Sequence, residues 1–379
     1  MRTSLQGLLE AFPAGSGGPQ ALATAAGTNK VFTSRLGKAL RQASPAGVVY
    51  HLPGPEPLRR FVDALAGQDV DPAAVAGAAR AVQAFARAIH EEAGSRSAWN
   101  AMVSAWLPDS HDEFEVRRRQ AAYKAISELK GASADLNLAT VLLHPSPDGR
   151  NVDVLWIMGL LGLRRLRPGA AVKLATRRRS PGEGARHPEP LGGLLRLDAF
   201  CQAPPAPTEP RQVGDTVHYL LGDSGFGVRS AVDLLVAERN LAEMRRFQPR
   251  GSGRSSYVFA EAGTPAQSLV FDVFVHEDLY PGVRPELHVY DTTLEGIADP
   301  NDPARDLDRL QTSDRSQMHG RDDDGLGIER MPGYRAMLQR VFEQAGWDRA
   351  DFDTWRLNCE YPLHGAQFCL CFHGPEAAA

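Results

Sequence analysis

Residues 20–42, QALATAAGTNKVFTSRLGKALRQ, constrain this chain more than any other stretch, because they spell two short helices joined by a tight turn. Gly27 can take the positive φ that a sharp inter-helix turn demands at no steric cost, and Ala23 is small enough for the second helix to cross close by. Beyond the turn, Phe32, Leu36, Ala39 and Leu40 recur at helical spacing and form one inward apolar stripe. The same helix carries Lys30, Arg35, Lys38 and Arg41 with no acidic residue. This pattern is that of a helix-turn-helix. Asn29, Lys30, Thr33 and Ser34 are expected to point outward near the N-terminal end of the second helix, the part that reaches base edges in the major groove. Lys38 and Arg41, with Arg59 and Arg60 further on, are expected to hold phosphates, contacts that set register and salt dependence.

The flanking chain completes a small domain. SLQGLLEAF at 4–12 reads as a helix capped by Ser4 and ended by Pro13. VVYHL at 48–52 is β-branched and aromatic and predicts a strand, closed by Pro53-Gly54-Pro55, with LRRFVDALA at 58–66 returning to helix. On GTNKVFTSRLGKALR and the strand that follows, residues 4–66 resemble bacterial winged helix-turn-helix transcription regulators of the MarR and GntR kinds. The resemblance implies a homodimer on a pseudo-palindromic site in double-stranded DNA, with a C-terminal region that senses a small-molecule or protein effector. Thr28 and Thr33 stand where such motifs commonly carry apolar residues.

With 379 residues the chain exceeds one comfortable core, so two or three domains are expected. Its net charge of −4 argues against a wholly basic nucleic-acid binder, so DNA affinity must come from local patches. Residues 1–45 hold five basic residues against one Glu, and residues 158–187 hold eight against Glu183 alone. Four cysteines in a chain this long do not make a disulfide framework. The longest apolar run, Val152 to Leu163, falls short of the roughly 18–20 residues of a membrane span. These features predict a cytoplasmic bacterial protein with no membrane partner.

The expected fold class is α+β: a winged helix-turn-helix domain at 1–70, a helical linker or dimerisation segment at 71–131, then an α/β C-terminal region with mixed or antiparallel sheets. Asp71-Pro72 opens a helix that Gly94 ends, and helices near 96–107 and 112–130 follow. The last should bury Phe114, Ala121, Ala122, Ala125 and Leu129 and expose Arg117, Arg118 and Arg119. From 135 the period changes, and LNLATVLLHP, VDVLWIMGLLGL and AAVKLAT read as three strands of a small sheet region at 132–180. Residues 181–214 read as a flexible linker. An effector- or partner-binding domain at 215–379 should hold strands at 216–221, 268–276 and 286–292, helices at 230–247 and 333–345, an acidic loop at 299–329 that includes Asp322-Asp323-Asp324, and a hairpin at 355–373.

Several residues carry possible chemistry. Gly222-Asp223-Ser224-Gly225 looks like the nucleophile segment of chymotrypsin-type proteases, but no upstream histidine lies in a suitable setting, and a polar turn explains it. Cys359, His364, Cys369, Cys371 and His373 concentrate near the end, yet their C-x-C-x-H spacing wraps a single ion poorly. His276-Glu277-Asp278, with His288, could form a pocket mouth, though a solvated turn is commoner. Arg164, Arg165, Arg167, Lys173 and Arg177–Arg179 form either a second phosphate-contacting patch or a solvated sheet edge. No base, nucleophile and orienter fall at a recognisable spacing, so an enzyme is not expected, nor is a metal or cofactor. The leading expectation is a DNA-binding transcription regulator acting as a repressor. The alternative is a protein-interaction module that uses the winged helix and the β-rich region for protein contacts.

Overall fold

Apolar residues recur every three to four positions as far as Ser104 and give way after Lys130 to runs buried on both faces, and the architecture changes with them. The computed structural model describes residues 1–12, 18–178, 195–214, 216–321 and 325–376, without the side chains of 108–111 and 176–178. The chain divides into two compact units, residues 1–115 and 116–379. Together they make an α+β protein whose sheets are mixed and antiparallel. No described helix is long and apolar enough to cross a membrane.

The first unit is built from helices α1 (Arg2–Glu10), α2 (Gly18–Ala25), α3 (Lys30–Leu40), α4 (Pro45–His51), α5 (Pro55–Ala66), α6 (Pro72–Ala88) and α7 (Arg96–Ser104). Local chemistry sets most of their starts. The side chains of Asn29, Ser44, Asp71 and Ser95 each accept a backbone N–H of the helix that follows. Pro45, Pro55 and Pro72 occupy first turns, where no N–H is needed. Helix α6 runs into a π-helical turn, Ile89–Ala93, and Gly94 ends it at φ +68°. Helix α1 starts two residues before the expected cap, with Met1 rather than Ser4 at its N-cap. A single core joins Leu5, Leu8, Leu36, Leu40, Leu58, Phe61 and Leu65 to Val82, Phe85 and Ile89, so residues 72–89 share the core of residues 1–66. Burying each such side chain contributes about 1.5–3 kcal/mol.

The wing is absent. Residues 48–52, expected as its strand, form most of α4, and no β-strand occurs among the described residues of this unit. Ser44 caps and Pro45 opens a helix there, and α4 buries Gly47 and Tyr50, one turn apart, together with Val48.

Helix α8 (Pro108–Lys130) carries the unit boundary. Its packing differs from expectation: Leu129 is 75% exposed and Ala121 and Ala125 are exposed, whereas Arg119 and Ser127 are buried. The buried face is polar because its partners are polar. Arg119 Nη1 donates to both Asp314 oxygens (3.1 and 2.9 Å) and to Cys359 Sγ (3.0 Å), and Gln120 donates to the Tyr361 hydroxyl (2.8 Å).

The second unit is organised by β1 (Ala132–Pro145), β2 (Asn151–Arg165), β3 (Lys173–Arg178), β4 (Leu195–Arg196), β5 (Thr208–Val213), β6 (Thr216–Leu221) and β7 (Val232–Arg245). It continues with β8 (Ser256–Glu261), β9 (Ala266–His276), β10 (Glu286–Asp291), β11 (Ser316–Gly320), helix α9 (Tyr334–Ala345), β12 (Phe352–Glu360) and β13 (Ala366–Phe372). A seven-stranded sheet has the order β11-β12-β9-β1-β2-β7-β4, with β1 and β9 parallel. Period-two alternation assigns its two faces. Val141, Leu143, Phe271 and Leu357 face the three-stranded sheet β10-β13-β8, while Leu138, Leu142, Phe274 and Phe352 face α9. The third sheet, β3-β6-β5, packs on Leu163, Leu234 and Val236.

Four expectations change here. Residues 230–247, expected as helix, contain the 14-residue strand β7, buried from Val232 to Ala237 between β2 and β4. Its Leu, Ala, Glu and Met favour helix, but burial on both faces overrides so weak a preference. Strands β12 and β13 are no hairpin: β12 pairs with β9 and β11, and β13 with β10 and β8, so the turn between them crosses from one layer to the other. Residues 195–213, expected within a linker, supply β4 and β5. Strands β1 and β2, expected in a region of their own, share their sheet with β7, β9 and β12.

A buried polar network ties the α9 side together. Arg356 meets Asp272 through two bonds of 2.7 and 2.6 Å, and also donates to the Leu326 (3.0 Å) and Gly327 (3.2 Å) carbonyls. The Tyr334 hydroxyl donates to Asp272 and lies 2.9 Å from Thr140 Oγ1.

Candidate nucleic-acid interface

Helix α2 ends in a Schellman motif. Gly27 takes φ +61°, Thr28 N donates to Ala23 O (2.9 Å), and Gly27 N donates to Thr24 O (3.3 Å). The turn delivers Asn29, whose side chain accepts from Phe32 N (2.8 Å) and opens α3. Leu36, Ala39 and Leu40 are buried, and the half-buried Phe32 packs on Phe61 of α5 with ring centroids 5.2 Å apart. The expected stripe therefore anchors the helix.

Thr33 belongs to that anchor and not to the outward face where it was placed. It is 1% exposed, and its hydroxyl donates to Pro19 O (2.7 Å) and lies 3.1 Å from Lys30 O. At this position a buried hydroxyl with a carbonyl partner does what an apolar side chain would do by packing alone. Asn29 is exposed, with its amide oxygen committed to the cap. Lys30, Ser34, Arg35, Lys38 and Arg41 are all exposed, and residues 11–55 contain no Asp or Glu to interrupt them.

Two further arginines hold α3 and α4 in place. Arg2 donates to the Gln42 and Ala43 carbonyls just beyond α3. Arg96 Nη2 donates to the Val49, Tyr50 and Leu52 carbonyls (3.0, 3.0 and 2.9 Å) at the end of α4, and Arg35 Nε donates to His51 O (3.1 Å). A helix C-terminus favours such cations. Burial pulls the Arg96 guanidinium down to about 10, and the nearby Arg35 charge pulls the same way. Sequence reasoning missed Arg96 because it did not expect the helix whose end Arg96 caps. It also missed Val31, which is 78% exposed. The available signal was phase: Val31 precedes Arg35 by one turn and Lys38 by two, on the polar face. Arg59 and Arg60 are exposed on α5, and both pair with Glu56, Arg60 at 3.1 Å. That local carboxylate offsets much of their charge.

The remaining candidates have internal uses. Arg164 pairs with Asp135 (2.6 Å), Arg165 donates to the Ala170, Leu221 and Gly222 carbonyls and to Ser224 Oγ, and Arg167 donates to Leu129 O. These arginines stitch strand ends together, which weakens the second phosphate patch. Lys173 is exposed on β3, while the side chains of Arg177 and Arg178, and the whole of Arg179, lie outside the described residues. Ser224 has Arg165, not a histidine, as its partner.

The cysteines and histidines separate. Cys359 lies beside Arg119, His364 beside Lys130 and His373 beside Ser255, and no three metal-binding side chains converge among the described residues. Cys371 Sγ does lie 3.8 Å from His288 Nδ1, whose Nε2 is 3.3 Å from Glu286, the order of a thiol, base and orienting carboxylate. Burial pushes the Cys371 thiol up to about 12, however, and its sulfur packs with Tyr290, Ala298 and Cys369. A thiol so protonated is a small core group and a poor nucleophile. His276 meets His144 at 4.8 Å between centroids, and Glu277 pairs with Arg321. In the acidic stretch, Asp302 caps the short turn Pro303–Asp308, Asp314 holds Arg119, and Asp322-Asp323-Asp324 lie outside the described residues. No family model, curated protein or solved structure matches the chain.

Proposed function

We propose that this chain is a DNA-binding transcription regulator whose helix α3 enters the major groove. The observation that carries this reading is the exposed face of α3, on which Lys30, Ser34, Arg35, Lys38 and Arg41 meet no acidic residue while the opposite face is locked into the core. With no wing among the described residues, the phosphate-holding role falls to Lys38 and Arg41 near the end of α3 and, less strongly, to Arg59 and Arg60. Asn29, Lys30, Ser34 and Arg35 are the candidates for contacts nearer the bases. Thr33 acts as a positioning residue behind them. A homodimer would place two such helices on successive major grooves, and the spacing of its half-sites would report the geometry.

The second unit supplies the sensing half of this reading. A small concavity at the end of β9, where His276, Glu277, Arg284 and Asp353 stand beside Tyr280, Met318 and Trp355, is the candidate place for an effector to enter. A repressor would then release DNA when an effector favours a different arrangement of the recognition helices.

The test is a titration of the full-length chain on random duplex DNA at several salt concentrations. Binding should weaken steeply with salt, and the double variant Lys38→Ala/Arg41→Ala should reduce the slope by about 2. No binding at low salt, or an unchanged slope in the variant, rejects the reading and favours protein contacts for this face.

A further inference from the structure

We propose that Val31 reads the C5-methyl group of a thymine in the major groove, an inference that rests on the DNA-binding reading above. Val31 is the one apolar side chain that the described residues place on the exposed face of α3. Its 78% exposure contrasts with the burial of Leu36, Ala39 and Leu40 on the other face. It occupies the second residue of the helix, flanked by Lys30 and Ser34, in the segment of a recognition helix that comes closest to base edges.

The surrounding contacts fix which way this face points. The Thr33 hydroxyl on Pro19 O and the Phe32–Phe61 packing prevent α3 from rolling, so Val31 cannot turn inward. Asn29 has committed its acceptor to the cap, and Arg35 Nε is committed to His51 O. At the N-terminal end of the helix this leaves polar groups, the Lys30 ammonium, the Ser34 hydroxyl, the Asn29 amide N–H groups and the Arg35 Nη groups, and one apolar group, the Val31 isopropyl. Serine hydrogen-bonds to any base edge and therefore discriminates weakly. The thymine methyl is the one apolar feature of the major-groove edge, and it distinguishes T·A from the other pairs through contact with an apolar side chain. A basic face bearing a single exposed valine is complementary to a phosphate-lined groove bearing a single methyl.

The experiment uses the full-length chain, a duplex selected from a random-core library, and copies of that duplex in which each thymine in turn is replaced by uracil. Uracil removes only the methyl group. Replacement at one position should weaken binding about fourfold, the size expected for one methyl group taken out of water. Val31→Ala should weaken binding to the thymine duplex by a similar factor and abolish the thymine–uracil difference, with the salt slope unchanged. Because Val31 is exposed, the variant should melt at the temperature of the parent. Salt-sensitive binding with no thymine–uracil difference at any position, or a difference that survives in Val31→Ala, overturns this inference and leaves the DNA-binding reading standing. Absence of salt-sensitive duplex binding overturns both.

Discussion

The Thr33 hydroxyl donates to the Pro19 carbonyl at 2.7 Å, fastening the start of α3 to the start of α2 across the Gly27 turn. Thr33→Val keeps the shape and removes this bond. The Pro19 carbonyl lies in the first turn of α2, where helical bonding is also open to it, so the loss should be about 1 kcal/mol. Urea unfolding of the full chain measures it as a lower midpoint at unchanged slope, and Thr33→Ser should recover most of the difference. A valine variant as stable as the parent would show that the bond does not hold the two helices.

The Asp272–Arg356 pair predicts a non-additive response. Both residues are almost fully buried, at 0% and 3% side-chain exposure, so removing one partner leaves an uncompensated charge in the core. Arg356→Leu should cost about 3–5 kcal/mol. The double change Asp272→Leu/Arg356→Leu should cost less than Arg356→Leu alone, because it also removes the stranded carboxylate. A double-mutant cycle followed by thermal unfolding reads the coupling directly. Additive losses would mean that the pair is not coupled.

Stability should also depend on pH through the histidines of the second unit. Burial holds His144 below its usual value; the Pro145 carbonyl opposes this, and neighbouring His276 and Arg239 reinforce it. Burial also lowers His288 and His364. The folded chain therefore takes up these protons less readily than the unfolded chain. Stability is present above the unfolded value of about 6.5 and falls as pH drops below it. Unfolding midpoints measured at pH 7.5 and at pH 5.5 should differ in that sense, and His144→Gln should narrow the gap. An equal gap in the variant would assign the effect to other groups.

What could be read from residues alone follows a physical division. Gly27, Asp71-Pro72 and Gly94 act through their own backbone preferences, so the turn, the start of α6 and the end of the π-helical turn that continues it were legible without knowing what packs on them. The β-branched and apolar runs that became β1, β2 and β9 were likewise legible. Residues 48–52 were not, because the Ser44 cap and Pro45 start a helix just ahead of a β-branched run, and residues 230–247 were not, because helix-favouring residues lie in a strand buried from Val232 to Ala237. The face of α8 was hidden for a related reason: Arg119 is buried only because Asp314, nearly two hundred residues away in sequence, comes to meet it. At the candidate interface the lysines and arginines of α3 were legible from their charge. Thr33 lies inward and not outward, and Val31, for which no place was expected, lies outward, because phase on a helix outweighs polarity where a hydroxyl finds a carbonyl.

The crossing from β12 to β13 sets an order of events for a nascent chain. Strand β12 lies against β9 in the seven-stranded sheet, and β13 is the central strand of the three-stranded layer that covers it. Until both have left the ribosome, β8 and β10 have no neighbour to join them, and the apolar face of β1 and β9 has no lid. The helices of residues 1–115 depend on no strand and can close their core early. The half of the molecule proposed to grip DNA would thus be ready during synthesis, before the half proposed to restrain it.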